Sequence, residues 1–194
     1  AVAEFGHIDI LVNGAGVHMV KAILPMPEFP VYKPERFAKW HFDKPTSEEE
    51  WDWIFDTNVK SVFLCCRAAG AHMMKQKRGK IVSIASGAPG QAMVYQVPYR
   101  SSKAAVDAFT RSLALEWARY RINVNAIGPG YFPSDISEWN VADDKLKEQT
   151  LRSIPLRRFP EPRELGLLAV YLASPASDHI TGQTITIDGG TSLV

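Results

Sequence analysis

Short apolar runs alternate along this chain with longer stretches whose apolar positions recur at helical spacing. The first run, Ile8 to Val12 in HIDILVNGAG, is interrupted only by Asp9 and ends in a glycine-rich turn. A strand buried in a parallel sheet reads this way. KIVSIAS (80–86), INVNAIGPG (122–130) and GQTITIDGG (182–190) repeat the pattern. Between the first two runs lies TSEEEWDWIFDTNVKSVFLCCRAAGAHMMKQKRG, which has helix grammar throughout. Thr46 with Glu49 predicts a capping box, acidic residues fill the first turn, and Lys and Arg gather before Gly79. YRSSKAAVDAFTRSLALEWARY (99–120) predicts a second long helix with a face of small residues, and EPRELGLLAVYLAS predicts a third. The opening AVAEFGHID reads as the tail of a helix running into a strand.

Strands alternating with helices imply crossover connections and a parallel sheet covered on both faces. The expected fold class is α/β, a Rossmann-like doubly wound sheet in a single domain over 1–194. Ligands in such sheets bind at the carboxyl ends of the strands, where Asn13, Ser86 and Pro129-Gly130 fall. The region 17–45 departs from the pattern. Five prolines (25, 27, 30, 34 and 45) and the aromatics Phe29, Tyr32, Phe37, Trp40 and Phe42 predict an irregular insertion, and a mixed loop is expected before the third helix. A substrate lid, an oligomer contact and simple decoration remain open as uses for the insertion.

Composition narrows the classes. With 22 basic against 21 acidic residues and no basic cluster interleaved with aromatics, a nucleic-acid partner has no support. No apolar run is long enough to span a bilayer, so no membrane partner is expected. Cys65 and Cys66 are adjacent in a predicted helix and point to different faces. A mutual disulfide is not expected, and a reducing cytoplasmic setting is the simpler one. The five histidines lack ligand-like spacing, so no metal is expected.

The chemistry concentrates between Ser86 and Lys103. Tyr99 and Lys103, four apart on a helix, share one face. A free phenol titrates near 10, too high for ready proton exchange at neutral pH, and a neighbouring ammonium favours the phenolate. A serine hydroxyl beside the phenol would hold a carbonyl or alcohol oxygen. Together they suit proton transfer to an oxygen whose carbon gains or loses hydride.

With Ser86 thirteen residues before Tyr99-x-x-x-Lys103, the chain resembles the short-chain dehydrogenases/reductases over nearly its whole length except 17–45. The resemblance implies an NAD(P)-dependent oxidoreductase interconverting a secondary alcohol and a carbonyl, with NAD and NADP undistinguished. It implies Tyr99 as general acid/base, with Lys103 lowering its pKa and holding the nicotinamide ribose. Ser86 would orient the substrate oxygen, and Asn58, in IFDTNVKSVF, would keep a water in the proton relay. Asn13-Gly14-Ala15-Gly16 matches the family's Asn-Asn-Ala-Gly with one change. NVNAIGPGYFPS places Pro129 and Gly130 beside the nicotinamide, Ser134 at the carboxamide, and Phe132 as a backbone N–H donor. Gln96 and Trp139 lie where the family lines its substrate pocket. A homodimer or homotetramer is implied, using the small-residue face of the 99–120 helix.

Within the family, ALEWARYRINVNAIGPGYF looks most like the sugar-acid and polyol dehydrogenases, gluconate 5-dehydrogenase among them. The 3-oxoacyl-carrier-protein reductases are the close rival, and a non-catalytic homologue is the alternative from another class. The family's glycine-rich phosphate-binding turn does not occur in these 194 residues. On that resemblance the chain reads as the catalytic portion of a longer enzyme.

Overall fold

A computed structural model describes residues 2–26, 43–87, 92–134 and 144–194. Strands β1 (Ile10–Asn13), β2 (Gly79–Ile84), β3 (Ile122–Pro129) and β4 (Thr184–Ile187) lie side by side in chain order. Every pairing is parallel, with Ile10 opposite Lys80, Gly79 opposite Ile122 and Ala126 opposite Thr184. All four carboxyl ends therefore open on one edge of the sheet. The helices are α1 (Val2–Phe5), α2 (Glu48–Phe55), α3 (Ser61–Gln76), α4 (Val97–Trp117), α5 (Asp144–Ser153) and α6 (Pro162–Ala173).

The two-residue period of the strands sorts the core into two layers. Ile81, Val124 and Ala126 pack with Val62, Cys66, Met73, Val106, Leu113 and Trp117 of α3 and α4. Val82 and Ile127 point the other way, onto Leu165, Leu168 and Leu172 of α6. Helices cover both faces, as the alternation of elements predicts. Asn125, almost fully buried in β3, donates to the Ile180 carbonyl at 2.8 Å and accepts from the Gln183 N–H at 3.1 Å. It ties β3 to the entrance of β4.

Several local expectations shift. The capping box is Ser47 with Glu50, one residue later than the Thr46–Glu49 pair. TSEEE contains both matches, and the Thr46 hydroxyl is committed elsewhere, donating to the Ala22 carbonyl at 2.7 Å. The long helix of that region is broken between α2 and α3 by a π-helical turn, Asp56–Lys60. It stops at Lys77, which takes the left-handed conformation at φ 54°, and Gly79 opens β2. A Cβ at Gly79 would lie 2.5 Å from Met73 Sδ, so the close strand–helix approach needs glycine there. The loop expected before α6 contains α5, which buries Leu146 and Thr150.

The start of the irregular region is also more than decoration. Met19 to Ala22 are buried, and the Lys21 N–H donates to the Tyr95 carbonyl at 2.7 Å. The buried Lys21 ammonium pairs with Glu50 at 2.7 Å. Residues 27–42 of the expected insertion, with its aromatic group, lie outside the described residues.

Candidate active site

The carboxyl edge of the sheet and the first turns of α4 enclose a cavity of about 540 Å³. Its walls come from the β1 and β2 ends (Gly16, Ser86), from α4 (Tyr99, Lys103) and from the turn after β3 (Pro129, Gly130). Glycine makes the closure of that edge possible. A Cβ on Gly87 would stand 2.7 Å from the Pro129 carbonyl oxygen, and one on Gly128 would stand 2.7 Å from that of Ser86.

Tyr99 and Lys103 project from the same face of α4, as their spacing predicts. The Ser86 side chain stands beside the Tyr99 phenol and favours its ionised form. Lys103 is 6% exposed, and its Nζ donates to the Ile84 carbonyl at 2.8 Å while lying 5.9 Å from the Tyr99 ring centroid. Ser86, Tyr99 and Lys103 thus converge in one cavity.

Burial shapes the electrostatics of both groups. Burial dominates the Tyr99 phenol and raises its pKa above the usual value; the Ser86 side chain and the charge of Arg100 pull it back only in part. The charge of Arg100, the next residue along α4, favours the phenolate. The Lys103 ammonium is engaged by the Ile84 carbonyl, and burial itself lowers its pKa to about 8.

Asn58 occupies the π-helical turn, fully buried. Its Oδ1 accepts from the Val17 N–H at 2.8 Å. Its Nδ2 donates to the Val17 carbonyl at 2.9 Å and to Ser102 Oγ at 2.9 Å. The side chain clamps the segment after β1 onto α4. Gly16 lies directly against this pair of polar groups, since a Cβ there would stand 3.3 Å from Lys103 Nζ and 3.4 Å from Asn58 Oδ1. π-helical turns recur at functional sites.

The remaining expected residues divide. Gly14, Gln96, Phe132 and Ser134 line the cavity with Pro129 and Gly130. Asn13 and Ala15 do not line it; the Asn13 Nδ2 points into the sheet and donates to Ser83 Oγ at 3.1 Å, joining β1 to β2. The Phe132 N–H donates to the Gly130 carbonyl at 3.1 Å, so it does not face the cavity as a free donor. Trp139 lies outside the described residues.

Several lining residues escape the sequence reading, His18, Tyr131 and Arg100 among them. His18 meets the Tyr99 ring edge-on with centroids 4.5 Å apart. Tyr131 follows the Pro-Gly turn. Arg100, next to the catalytic tyrosine candidate, turns its guanidinium into the cavity. No spacing rule singles out a residue adjacent to a motif position, because helical neighbours ordinarily face different ways.

A doubly wound sheet with a buried tyrosine, serine and lysine at its carboxyl edge defines a nucleotide-dependent dehydrogenase or reductase class of fold and site. The family described as enoyl-(acyl carrier protein) reductase matches residues 1–192. The 2-dehydro-3-deoxy-D-gluconate 5-dehydrogenase of Escherichia coli is 41% identical over 191 residues, covering 98% of this chain and 68% of that protein. A 3-oxoacyl-[acyl-carrier-protein] reductase of Staphylococcus aureus is 37% identical over 194 residues, again covering 68% of that protein. Among solved structures, a gluconate 5-dehydrogenase from Burkholderia cenocepacia in complex with NADP and tartrate superposes with a TM-score of 0.83 at 31% identity. It covers all of this chain and 68% of that one. The chain belongs to the short-chain dehydrogenase/reductase family of NAD(P)-dependent oxidoreductases.

Proposed function

We propose that the chain carries the catalytic centre of an NAD- or NADP-dependent oxidoreductase that interconverts a secondary alcohol and a carbonyl on a sugar acid or polyol. The observation that carries this reading is the convergence of Ser86, Tyr99 and Lys103 in one cavity, with the Ser86 side chain beside the Tyr99 phenol. Ser86 holds the substrate oxygen against the phenol. Tyr99 delivers a proton to that oxygen in reduction and accepts it in oxidation. The buried Lys103 ammonium keeps positive charge on the same wall, where it favours the phenolate as the proton leaves.

The cavity fits a nicotinamide nucleotide. Gly16 leaves the wall over Lys103 free of a side chain, and the Pro129-Gly130 turn continues that wall. Lys103 and Tyr99 would hold the ribose, with Pro129, Gly130 and Ser134 bordering the ring and the Asn13–Gly16 strand end nearer the adenosine. Bound there, the nicotinamide supplies or accepts the hydride. The gluconate-type relatives support the sugar-acid reading. The match to the acyl-carrier-protein reductase keeps a 3-oxoacyl thioester as the second reading.

A homodimer or homotetramer is part of the same proposal. Phe63 and Leu64 on α3 and Leu115 on α4 leave apolar surface exposed on the two helices of one sheet face.

The test is Tyr99→Phe in the complete natural protein, with NAD(P)H-linked turnover of sugar acids, polyols and 3-oxoacyl thioesters measured side by side. The expected loss of kcat is about a hundredfold to ten-thousandfold, the range of general acid–base catalysis. Unchanged turnover overturns the mechanism. Turnover confined to thioesters overturns the substrate class alone.

A further inference from the structure

Arg100 is a cavity residue that neither the proton transfer nor the fold explains. Its guanidinium is half buried beside the reacting position, with Nη1 3.5 Å from Ser86 Oγ and 3.4 Å from the Gly87 carbonyl oxygen. Nη2 faces the Met93 thioether, a weak acceptor. Nε is buried and has no hydrogen-bond partner. Among the described residues no carboxylate pairs with Arg100. The acid that also lines the cavity, Asp188, is taken up by backbone N–H groups, Oδ1 by Gly190 at 2.9 Å and Oδ2 by Ser192 at 2.8 Å.

Among the described residues nothing neutralises this half-buried guanidinium, and two long bonds and a sulfur contact do not satisfy its five donors. Burial lowers the pKa of Arg100 as well, but the charge remains. Nη1 lies on the side of the guanidinium where Ser86 lines the cavity and would hold the substrate oxygen. Guanidinium groups match carboxylates in a two-point fork.

We infer that Arg100 is the specificity-determining residue of the site and binds a carboxylate of the substrate. Because its Nη1 is so near Ser86, the carboxylate stands one or two carbons from the reacting carbon, as in a 2- or 3-hydroxy acid and the corresponding oxo acid. The inference rests on the oxidoreductase reading above and narrows it: the substrate is an acid oxidised or reduced close to its carboxylate, not a neutral polyol or a thioester.

The test compares binding of 3-hydroxybutyrate with that of its neutral isostere, 3-hydroxybutyramide, by calorimetric titration of the complete natural protein. Unaltered protein is expected to prefer the acid. Arg100→Gln is expected to weaken the acid on the order of ten- to a hundredfold, the value of hydrogen bonds to a charged group, and to leave the amide within about twofold. Arg100→Lys, which keeps the charge and loses the fork, should recover part of the affinity.

Equal binding of acid and amide overturns the inference, as does no detectable binding of the acid. So does an equal loss of both ligands in Arg100→Gln together with full recovery of both in Arg100→Lys, which is the mark of a purely structural cation. Circular dichroism of each variant separates misfolding from lost recognition. Binding is read without turnover, so failure of the Tyr99 mechanism shows in the kinetic test and not in this one.

Discussion

Replacing Asn58 with alanine separates a clamp from a proton relay. The side chain is fully buried and makes three hydrogen bonds of 2.8–2.9 Å, two to the Val17 backbone and one to Ser102 Oγ. Alanine removes all three and leaves the Val17 N–H and carbonyl without their partner. Ser102 keeps its bond to the Tyr99 carbonyl at 2.7 Å, so its hydroxyl is the lesser loss. At roughly 1 kcal/mol for each bond the change should cost about 3 kcal/mol of stability. For a chain of this size that lowers the melting temperature by roughly 6–12 °C.

Thermal unfolding followed by circular dichroism, with kcat measured well below the transition, reads both roles at once. A melting temperature within about 2 °C of the unaltered protein would refute the energetic reasoning, because it lies well inside the smallest shift the lost bonds imply. If kcat also falls steeply in that stable variant, Asn58 acts in the proton relay and not as a clamp.

Two further outcomes follow from the packing and the buried charge. A Cβ at Gly70 would overlap the Trp117 ring where α3 crosses α4, so Gly70→Ala should destabilise the fold by about 1–3 kcal/mol, measured by urea titration. The folded pKa of Lys103, about 8, lies below the ordinary 10.5, so its protonation opposes folding most fully below pH 8. That opposition fades as pH rises through 8 towards 10.5. Lys103→Met should therefore be inactive yet gain up to about 3 kcal/mol at neutral pH, less the lost Ile84 hydrogen bond, with the gain shrinking across that window. Urea midpoints of the two proteins at a series of pH values check this, and a difference independent of pH would contradict it.

The sequence by itself determined the strands, the long helices, their order and the candidate catalytic residues. Apolar runs of strand length mark β2 and β3 because strands buried on both faces need apolar side chains at nearly every position. The spacing of Tyr99 and Lys103 puts them on one helical face without any tertiary information, and the strand end delivers Ser86 to the same edge. The capping box was legible only to within one residue. Thr46 and Ser47 offer the same local chemistry, and the choice was made by the Ala22 carbonyl, which is distant in sequence. The amphipathic helix α5 went unread because it buries little more than Leu146 and Thr150.

What only the tertiary structure decided is the direction and company of individual polar side chains. The family resemblance singles out Asn58 for the proton relay, but its clamp on Val17 exists only once the chain after β1 packs against it. The upward push of burial on the Tyr99 phenol is not legible locally, because desolvation depends on every atom packed around a group. Arg100 itself has no local signature; its donors acquire a meaning only where the ends of β2 and β3 and the start of α4 close around them. Periodicity is a short-range property that a chain carries in its sequence, whereas burial and charge pairing are long-range sums that exist only once it has folded.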